Sequence, residues 1–464
     1  MFTGFLKYND MDFTFILNET ENELQLIPIS KASFESITDM IIFRDLLSKM
    51  NEPYLVGTVN ENQKKLIAIT FQGSNIGQVN NVFYIKLYAY FLLNSNDSEF
   101  IDKITFCSPE INRIFNVNRA FNISYKDIND FNKNGVITIS TNDFESTSSP
   151  LQNFKVDKKD VCVSFRIMRS ISTQIGEAPL SLDSCLCFEF GATNDYCFII
   201  KLCHYAKNFI RFLCFRRNIF FTTIDVYTTE EDNTHLNIGK INIFNDNYES
   251  EQEPIKSNRC IKYEYILGSE GKILSDIVDN KLYLKHLPKS FEDSKHIDTA
   301  SFIMITAAFE WEFNRSYPNG IEKSRATKDI EESVSEQIKK LLKNSTGKKK
   351  EKYKFLLKFV KSDSLQSEII QIGKDYSEII DIFGKHLYRL NRMELKYNEM
   401  GKRVSDQRNH FAHGDLDKDF ISDALLDVIF LQYIVCALQL KSFGISDENI
   451  RKSINDVFHL NLAL

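Results

Sequence analysis

Short apolar runs separated by Asn, Gly and other polar residues occupy the first part of the chain, a pattern typical of strands joined by turns. The strands predicted in this way cover residues 13–17, 54–59, 66–70, 136–140, 161–165 and 185–190. A strand pair is predicted over 220–226 and 240–244, and a further strand over 263–267. The aromatic run 82–93 fits a strand or a helix, because periodicity alone does not separate the two.

Helices are also predicted within this first part. Ser108 followed by Pro109 and Glu110 provides an N-cap residue, proline in the first turn and an early acid, so a short helix is expected over 110–115. Apolar residues of the segment 196–217 recur every three or four positions, which favours a helix. A short helix is predicted over 273–284.

From about residue 296 the pattern becomes helical. The predicted helices cover 299–314, 327–342, 353–360, 369–399, 404–412, 421–443 and 447–458, and 344–350 is predicted as a loop. Runs of strands followed by runs of helices indicate an α+β chain with separate domains. We therefore expect a strand-rich domain over 1–295 and an all-α domain over 296–464.

Composition agrees with a globular protein of two or three domains. The 464 residues are 43% hydrophobic and 26% charged. Nine cysteines are scattered without a C-x-x-C pair, which argues against a disulfide framework or a zinc ribbon and favours a reducing, cytoplasmic location. Neither a signal peptide nor a stretch of about 18 apolar residues is found, so no membrane association is expected.

Basic residues are concentrated in one segment, although the net charge is −6. Residues 339–361 contain ten lysines and a single acid, Glu351. Such a block can follow a phosphate backbone, and it can equally be a solvated, lysine-rich loop. The candidate RNA contacts are Lys348, Lys349, Lys350 and Lys352.

One constellation carries recognisable chemistry, namely Arg408 followed directly by Asn409 and, after four intervening residues, by His413. The spacing alone is common. Its context is more specific, because the motif follows a predicted helical hairpin, Gly414 interrupts the helix after His413, and a long apolar helix comes next. The alternative is an ion-pair and capping cluster at an interface.

These residues resemble the motif of the HEPN superfamily, small helical bundles with an R-N/D/H-x-x-x-H pattern late in the chain. The helix around Phe302–Glu310 resembles the first HEPN helix, including an acid near its end. The strand-rich part, with the segment 104–111, looks like the N-terminal domain of the ApeA group of antiphage HEPN proteins. This resemblance implies an RNA-cleaving toxin of abortive infection that is silent until triggered.

The residue types suit metal-independent RNA transesterification, in which a 2′-hydroxyl attacks the adjacent phosphorus. Imidazole supplies an acid and base near neutral pH, and guanidinium supplies a permanent cation over the transition state. We expect His413 as general acid and base, Arg408 as phosphate clamp and Asn409 as an orienting partner. Because Asp415 is the one acid within residues 407–415 and arginine cannot ligate a cation, no metal site and no cofactor are expected.

Other residues are weighed against their structural roles. His410 could assist and Glu310 could pair with Arg408, although each is more commonly a structural residue. Cys203-His204 lacks further ligands for a metal, and Trp311 is expected in the core.

The partners follow from the HEPN resemblance. It implies a homodimer or higher oligomer, RNA such as tRNA as substrate, and a phage-derived trigger.

Two alternatives to catalysis stay open. The chain could be a non-catalytic HEPN module that binds RNA or protein and dimerises. It could also be a HEPN partner of a nucleotidyltransferase, with the motif as a modification target.

Overall fold

The computed structural model describes the chain except for residues 30–40, 42–43, 45–53, 72–75, 80–81, 95–99, 127–135, 143–146, 177, 179, 245–247, 361, 413–419 and 421–422. The chain forms two compact units. A strand-rich unit comprises Met1–Lys256 and Glu270–Val278, and a helical unit comprises Ser257–Ser269 and Asp279–Leu464. The predicted α+β class is confirmed. A functional division at residue 295 stays a prediction.

An antiparallel barrel forms the beginning of the strand-rich unit. Its strands are β1 (Phe2–Tyr8), β2 (Met11–Asn18), β3 (Glu23–Pro28), β4 (Tyr54–Val59), β5 (Lys65–Thr70) and β7 (Val82–Leu93), and β6 (Gly77–Val79) pairs with β7. Their order is β7-β3-β2-β1-β4-β5, and β5 pairs back onto β7 to close the ring. Residues 82–93 are therefore a strand, the alternative that periodicity left open.

The barrel closes around side chains that alternate along each strand. In β2, Phe13, Phe15 and Leu17 are buried, whereas Asp12 is exposed and Thr14 is half-buried. Successive side chains of a strand point to opposite faces, so this alternation places one face of the strand in the apolar core. Burial of that face specifies the register of the ring.

A second sheet continues from β7. Its strands are β8 (Ile101–Cys107), β11 (Gln152–Val156), β12 (Lys159–Ile171), β13 (Leu180–Thr193), β14 (Thr223–Thr229) and β15 (His235–Ile243), in the order β11-β12-β13-β8-β14-β15-β7. The same part of β7 pairs with β5 of the barrel and with β15 of this sheet. The strands β9 (Phe121–Lys126) and β10 (Val136–Thr141) pair with each other.

Two helices of this unit begin within a residue of their predicted starts, whereas the helix predicted over 273–284 is observed over Glu270–Val278 and the helix at Glu253–Lys256 was not predicted. In α1 (Pro109–Ile114), the Ser108 Oγ accepts a hydrogen bond from the Ile111 amide. The long α2 (Tyr196–Cys214) begins after Asp195, whose carboxylate caps it, and ends at Phe215 with φ of 51°. The unit also contains α3 (Glu253–Lys256) and α5 (Glu270–Val278).

The helical unit begins with a single turn, α4 (Tyr263–Ile266), at the position where a strand was predicted. That prediction was wrong, because the apolar run is too short to separate the two periods. Tyr263 and Ile266, three residues apart, are both buried, as helical geometry requires.

Eight longer helices follow among the described residues of this unit. They are α6 (Thr299–Ser316), α7 (Arg325–Lys343), α8 (Gly347–Phe359), α9 (Leu365–Asp375), α10 (Ser377–Leu390), α11 (Tyr397–Ala412), α12 (Ala424–Ser442) and α13 (Asp447–Val457). The last is capped by the Ser446 hydroxyl, which accepts from the Asn449 amide.

Two predictions about the helix boundaries were wrong. The single helix predicted over 369–399 is broken twice, by a new helix start after Tyr376 and by Arg392, whose φ of 59° ends α10. The loop predicted over 344–350 is shorter, because α8 begins at Gly347 and includes the lysines at 348–350. A left-handed residue between apolar helical segments does not alter their periodicity, so the pattern did not reveal the break after α10.

The centre of the helical unit is α12. It is the one helix among the described residues that is long and apolar enough to cross a membrane, and 72% of its most apolar stretch is buried within the protein. Such burial is typical of a core helix rather than of a lipid-facing one.

A buried ion pair fastens α11 to this core helix. Asp427 of α12 is fully buried, and Arg403 of α11 donates to its two carboxylate oxygens, from Nε at 2.7 Å and from Nη2 at 2.8 Å. The Tyr388 hydroxyl of α10 donates to the same carboxylate. Three helices therefore meet at one carboxylate.

We predict that Asp427→Ala lowers the free energy of unfolding by about 3–5 kcal/mol, because Arg403 loses its buried partner. Urea unfolding of the full chain, followed by far-ultraviolet circular dichroism, measures this. The control is Glu448→Ala, which removes an exposed pair with Lys452 and should change stability little. Equal losses in both variants would contradict the role of the buried pair.

Candidate functional site

The site is built on the last two turns of α11. Val404, Gln407 and Phe411 are buried, so this helix turns one face into the core. Phe411 packs edge-on against Phe302 of α6, with ring centroids 5.5 Å apart. Arg408 is four residues after Val404, so it lies at the edge of this buried face and is half-buried, whereas Asn409 lies outside the face and is exposed.

Arg408 is held by a carboxylate from α6. Its Nη2 donates to Glu310 Oε2 at 2.9 Å, and the two side chains are 42% and 30% exposed, respectively. The pairing proposed from the sequence is therefore present. The ion pair orients the guanidinium and leaves part of it accessible to a ligand.

Close packing of α9 against α11 brings a second acid to this place. A Cβ at Gly373 would lie 2.4 Å from the Tyr397 ring, and one at Gly401 would lie 3.0 Å from the Gln366 carbonyl oxygen. Both positions therefore depend on the absence of a side chain, which lets the two helices approach. Glu368 of α9 is 7% exposed as a result.

The pKa of the Glu368 carboxyl is higher than that of an ordinary glutamate. Burial, together with the negative charges of Glu310 and Asp363, raises the pKa of Glu368 from its ordinary value of 4.5 to about 7, and Arg408 opposes this rise. Within the described residues its Oε2 atom accepts no hydrogen bond. A carboxyl that titrates near neutrality therefore lies within electrostatic reach of Arg408.

Glu368 was not among the residues predicted from the sequence. It directly precedes the helix predicted over 369–399, and only the observed helix, which begins at Leu365, places this carboxylate between the buried side chains of Leu365 and Ile369. Two of the three charged groups that alter its pKa, Arg408 and Glu310, lie 40 and 58 residues away in the sequence, and only the packed helices bring them together.

The remaining motif residues are only partly placed. His410 is half-buried within α11, and Ala412 is exposed. His413, Gly414 and Asp415 lie outside the described residues. The candidate acid and base His413 therefore stays a prediction from the sequence.

The candidate RNA-contacting lysines lie on α8. Lys348, Lys349, Lys350 and Lys352 are all exposed, and they occupy the first two turns of this helix instead of the predicted loop. The α7 and α8 helices pack against each other. Their lysines thus project from a helical hairpin.

Trp311 does not lie in the core as predicted. It is 47% exposed, and its indole Nε1 donates to the Lys281 carbonyl at 2.8 Å. Glu312, the next residue of α6, is buried instead and accepts a hydrogen bond from the Gln439 side chain at 3.1 Å.

The described residues contain no group of three or more His, Cys, Asp or Glu side chains that could hold a metal ion.

Comparisons with models of protein families, with curated proteins and with solved structures give no match for this chain.

We predict a pH-dependent effect of Glu368→Gln on stability. Because the folded state binds this proton more tightly than the unfolded state, the contribution of Glu368 to stability is present below pH 4.5 and is lost as the pH rises through about 7. The variant should therefore gain stability relative to the wild type at pH 8 and gain none near pH 4.

Urea unfolding at both pH values measures this difference. Burial lowers the pKa of His286 to about 4, so this histidine changes stability in the opposite sense, but it is present in both proteins and cancels. A constant difference across the pH range would show that Glu368 titrates normally.

Proposed function

We propose that the helical unit is a HEPN-type, metal-independent endoribonuclease whose site is formed by Arg408, Asn409 and His413. The observation that carries this is the position of Arg408, which is oriented by Glu310, partly exposed and directly followed by an exposed Asn409. A guanidinium held in this way is ready to bind a phosphate.

In the proposed reaction, the ribose 2′-hydroxyl attacks the adjacent phosphorus and the 5′-oxygen leaves. The products are a 2′,3′-cyclic phosphate and a 5′-hydroxyl. His413 takes the proton from the 2′-hydroxyl and supplies a proton to the departing 5′-oxygen. Arg408 stabilises the charge on the phosphorus oxygens, and Asn409 orients a partner by hydrogen bonding. Before substrate binds, Glu310 balances the charge of Arg408, and the phosphate competes with it.

The biological setting is part of the proposal. We infer an ApeA-like antiphage protein of the abortive-infection type, located in the cytoplasm and released from inhibition by a phage-derived trigger. Its substrate would be tRNA or another structured RNA. A homodimer through the helical unit would bring two copies of the motif into one cleft.

One observation also favours a second candidate, a non-catalytic HEPN module that binds RNA or protein. The Arg408–Glu310 ion pair, at 2.9 Å, is equally what a purely structural arginine would form. The two candidates differ in whether RNA is cut, which the following experiment decides.

We predict that the wild-type protein, activated by phage lysate if necessary, cuts cellular RNA or purified tRNA in the presence of EDTA. Arg408→Ala and His413→Ala should each reduce the cleavage rate by about 100-fold or more, since each removes a group that acts on the transition state. Gel analysis and a test for cyclic phosphate ends provide the measurement.

The matched control is Lys402→Ala, which removes an exposed cation from the same helix and should leave the rate unchanged. RNA that is bound but never cut would favour the non-catalytic module. Cleavage that survives in both motif variants would mean that the site lies elsewhere.

We also predict that changing the four α8 lysines together, Lys348, Lys349, Lys350 and Lys352, to alanine weakens RNA binding mainly at low salt. Each lost phosphate contact should reduce the slope of log affinity against log salt by about 0.7 for a single strand. Filter binding at several salt concentrations, with a catalytically inactive His413→Ala background, measures this. An unchanged slope would assign the lysines to a solvated surface.

A further inference from the structure

A cavity of about 390 Å³ lies in the strand-rich unit. It is bounded by one face of α2, the segment that leads into β14, and the end of β15, with Tyr88 of β7 also contributing. Its size falls within the usual range of small-molecule sites, about 300–1,000 Å³. The proposed ribonuclease site uses none of its residues.

The cavity is lined by basic side chains. His204, Lys207 and Arg211 are spaced three and four residues apart along α2, so they share one face of the helix, and Lys240 of β15 also lines the cavity. No carboxylate is present among the described residues that line it. Asp225, the cross-strand neighbour of Lys240, interacts with that lysine but does not line the cavity.

The charged forms of these side chains repel one another and are only partly hydrated in the cavity. Burial and the nearby charge of Arg211 lower the pKa of Lys207 to about 8. Burial and the same neighbouring cations also lower the pKa of His204. Since the charged forms are disfavoured in the empty cavity, a bound anion would stabilise them.

Arg211 is held in position by neutral groups. Its Nε donates to the Arg217 carbonyl at 2.8 Å, and its Nη1 donates to the Asn208 side-chain oxygen at 3.1 Å. No hydrogen bond and no acidic neighbour among the described residues contributes to the pKa of Lys207. Arg211 is thus fixed without being neutralised, and Lys207 retains its hydrogen-bonding capacity for a ligand.

Flat and polar groups complete the lining. Tyr88, Phe220 and Phe244 line the cavity together with Asn242. The Asn242 side-chain nitrogen also donates to the Tyr90 hydroxyl at 3.0 Å, and the Phe244 ring lies 5.6 Å from the Tyr90 ring. Phe220 is itself stacked on Tyr248, with ring centroids 5.0 Å apart, which limits its movement. Aromatic rings stack on nucleobases, and an amide can exchange hydrogen bonds with the edge of a base.

We propose that this cavity binds a nucleoside monophosphate, with the phosphate between Lys207 and Arg211 and the base against the aromatic rings. The cations account for the phosphate, the rings for a flat base, and the volume for a ligand of one nucleotide. This site is independent of the proposed ribonuclease function, because its residues belong to the strand-rich unit.

The test is isothermal titration calorimetry of the full chain with AMP, GMP, CMP and UMP, and with inorganic phosphate and adenosine as separate probes. At least one nucleotide should bind about tenfold or more tightly than either fragment probe, since only the nucleotide uses both parts of the cavity. Equal affinity for phosphate alone would overturn the assignment of the rings to a base.

Lys207→Met should weaken nucleotide binding by about tenfold or more, because a charge-assisted hydrogen bond is lost while the apolar stem is kept. The matched control is Lys201→Met on the same helix, whose exposed ammonium pairs with Asp157 and should not affect binding. The melting temperature of ligand-free Lys207→Met should be unchanged or raised, which separates lost binding from lost folding.

Several results would overturn the proposal. They are failure of all four nucleotides to bind at millimolar concentration, affinity unaltered by Lys207→Met, and binding only of oligoribonucleotides, which would indicate a strand-binding groove. Arg408→Ala should leave nucleotide affinity unchanged. Its loss in that variant would place the nucleotide at the motif instead.

Discussion

The helical unit depends on a single buried carboxylate. Asp427 lies on the core helix α12, where a charge without partners would be strongly unfavourable. Arg403 binds both of its oxygens, and the Tyr388 hydroxyl adds a third hydrogen bond. Arg403 lies five residues before Arg408 on the same helix. The ion pair that neutralises buried Asp427 therefore also fixes the position of the helix that carries Arg408.

The surroundings of Arg408 leave its positive charge only partly neutralised. Glu310 pairs with Arg408, but both side chains stay partly exposed, so the pair can be opened by a competing phosphate. Glu368, brought near by glycine-mediated packing of two helices, holds its proton near neutral pH and thus withholds a second full negative charge. The negative charge beside Arg408 is therefore smaller than that of two fully ionised carboxylates.

Local order was largely predictable in both units. The helix starts at Ser108 and Ser446 use side-chain caps that the sequence shows directly, and the short apolar run at 13–17 predicted the strand observed as β2. Failures occurred where local patterns carry little information. The short run at 263–267 fits two periods, and one left-handed residue, Arg392, ended a helix whose apolar pattern continued beyond it.

The sequence by itself determined the α+β class, most element types and the order Arg408, Asn409, His413, because these follow from period, capping and adjacency in the chain. It also suggested Glu310 as a partner of Arg408. Only the tertiary structure placed Glu368 beside them and gathered the cations of α2 with Lys240 and three aromatic rings around one cavity. Such groupings join residues far apart in the chain, and their burial and mutual repulsion arise only when the helices and sheets have packed.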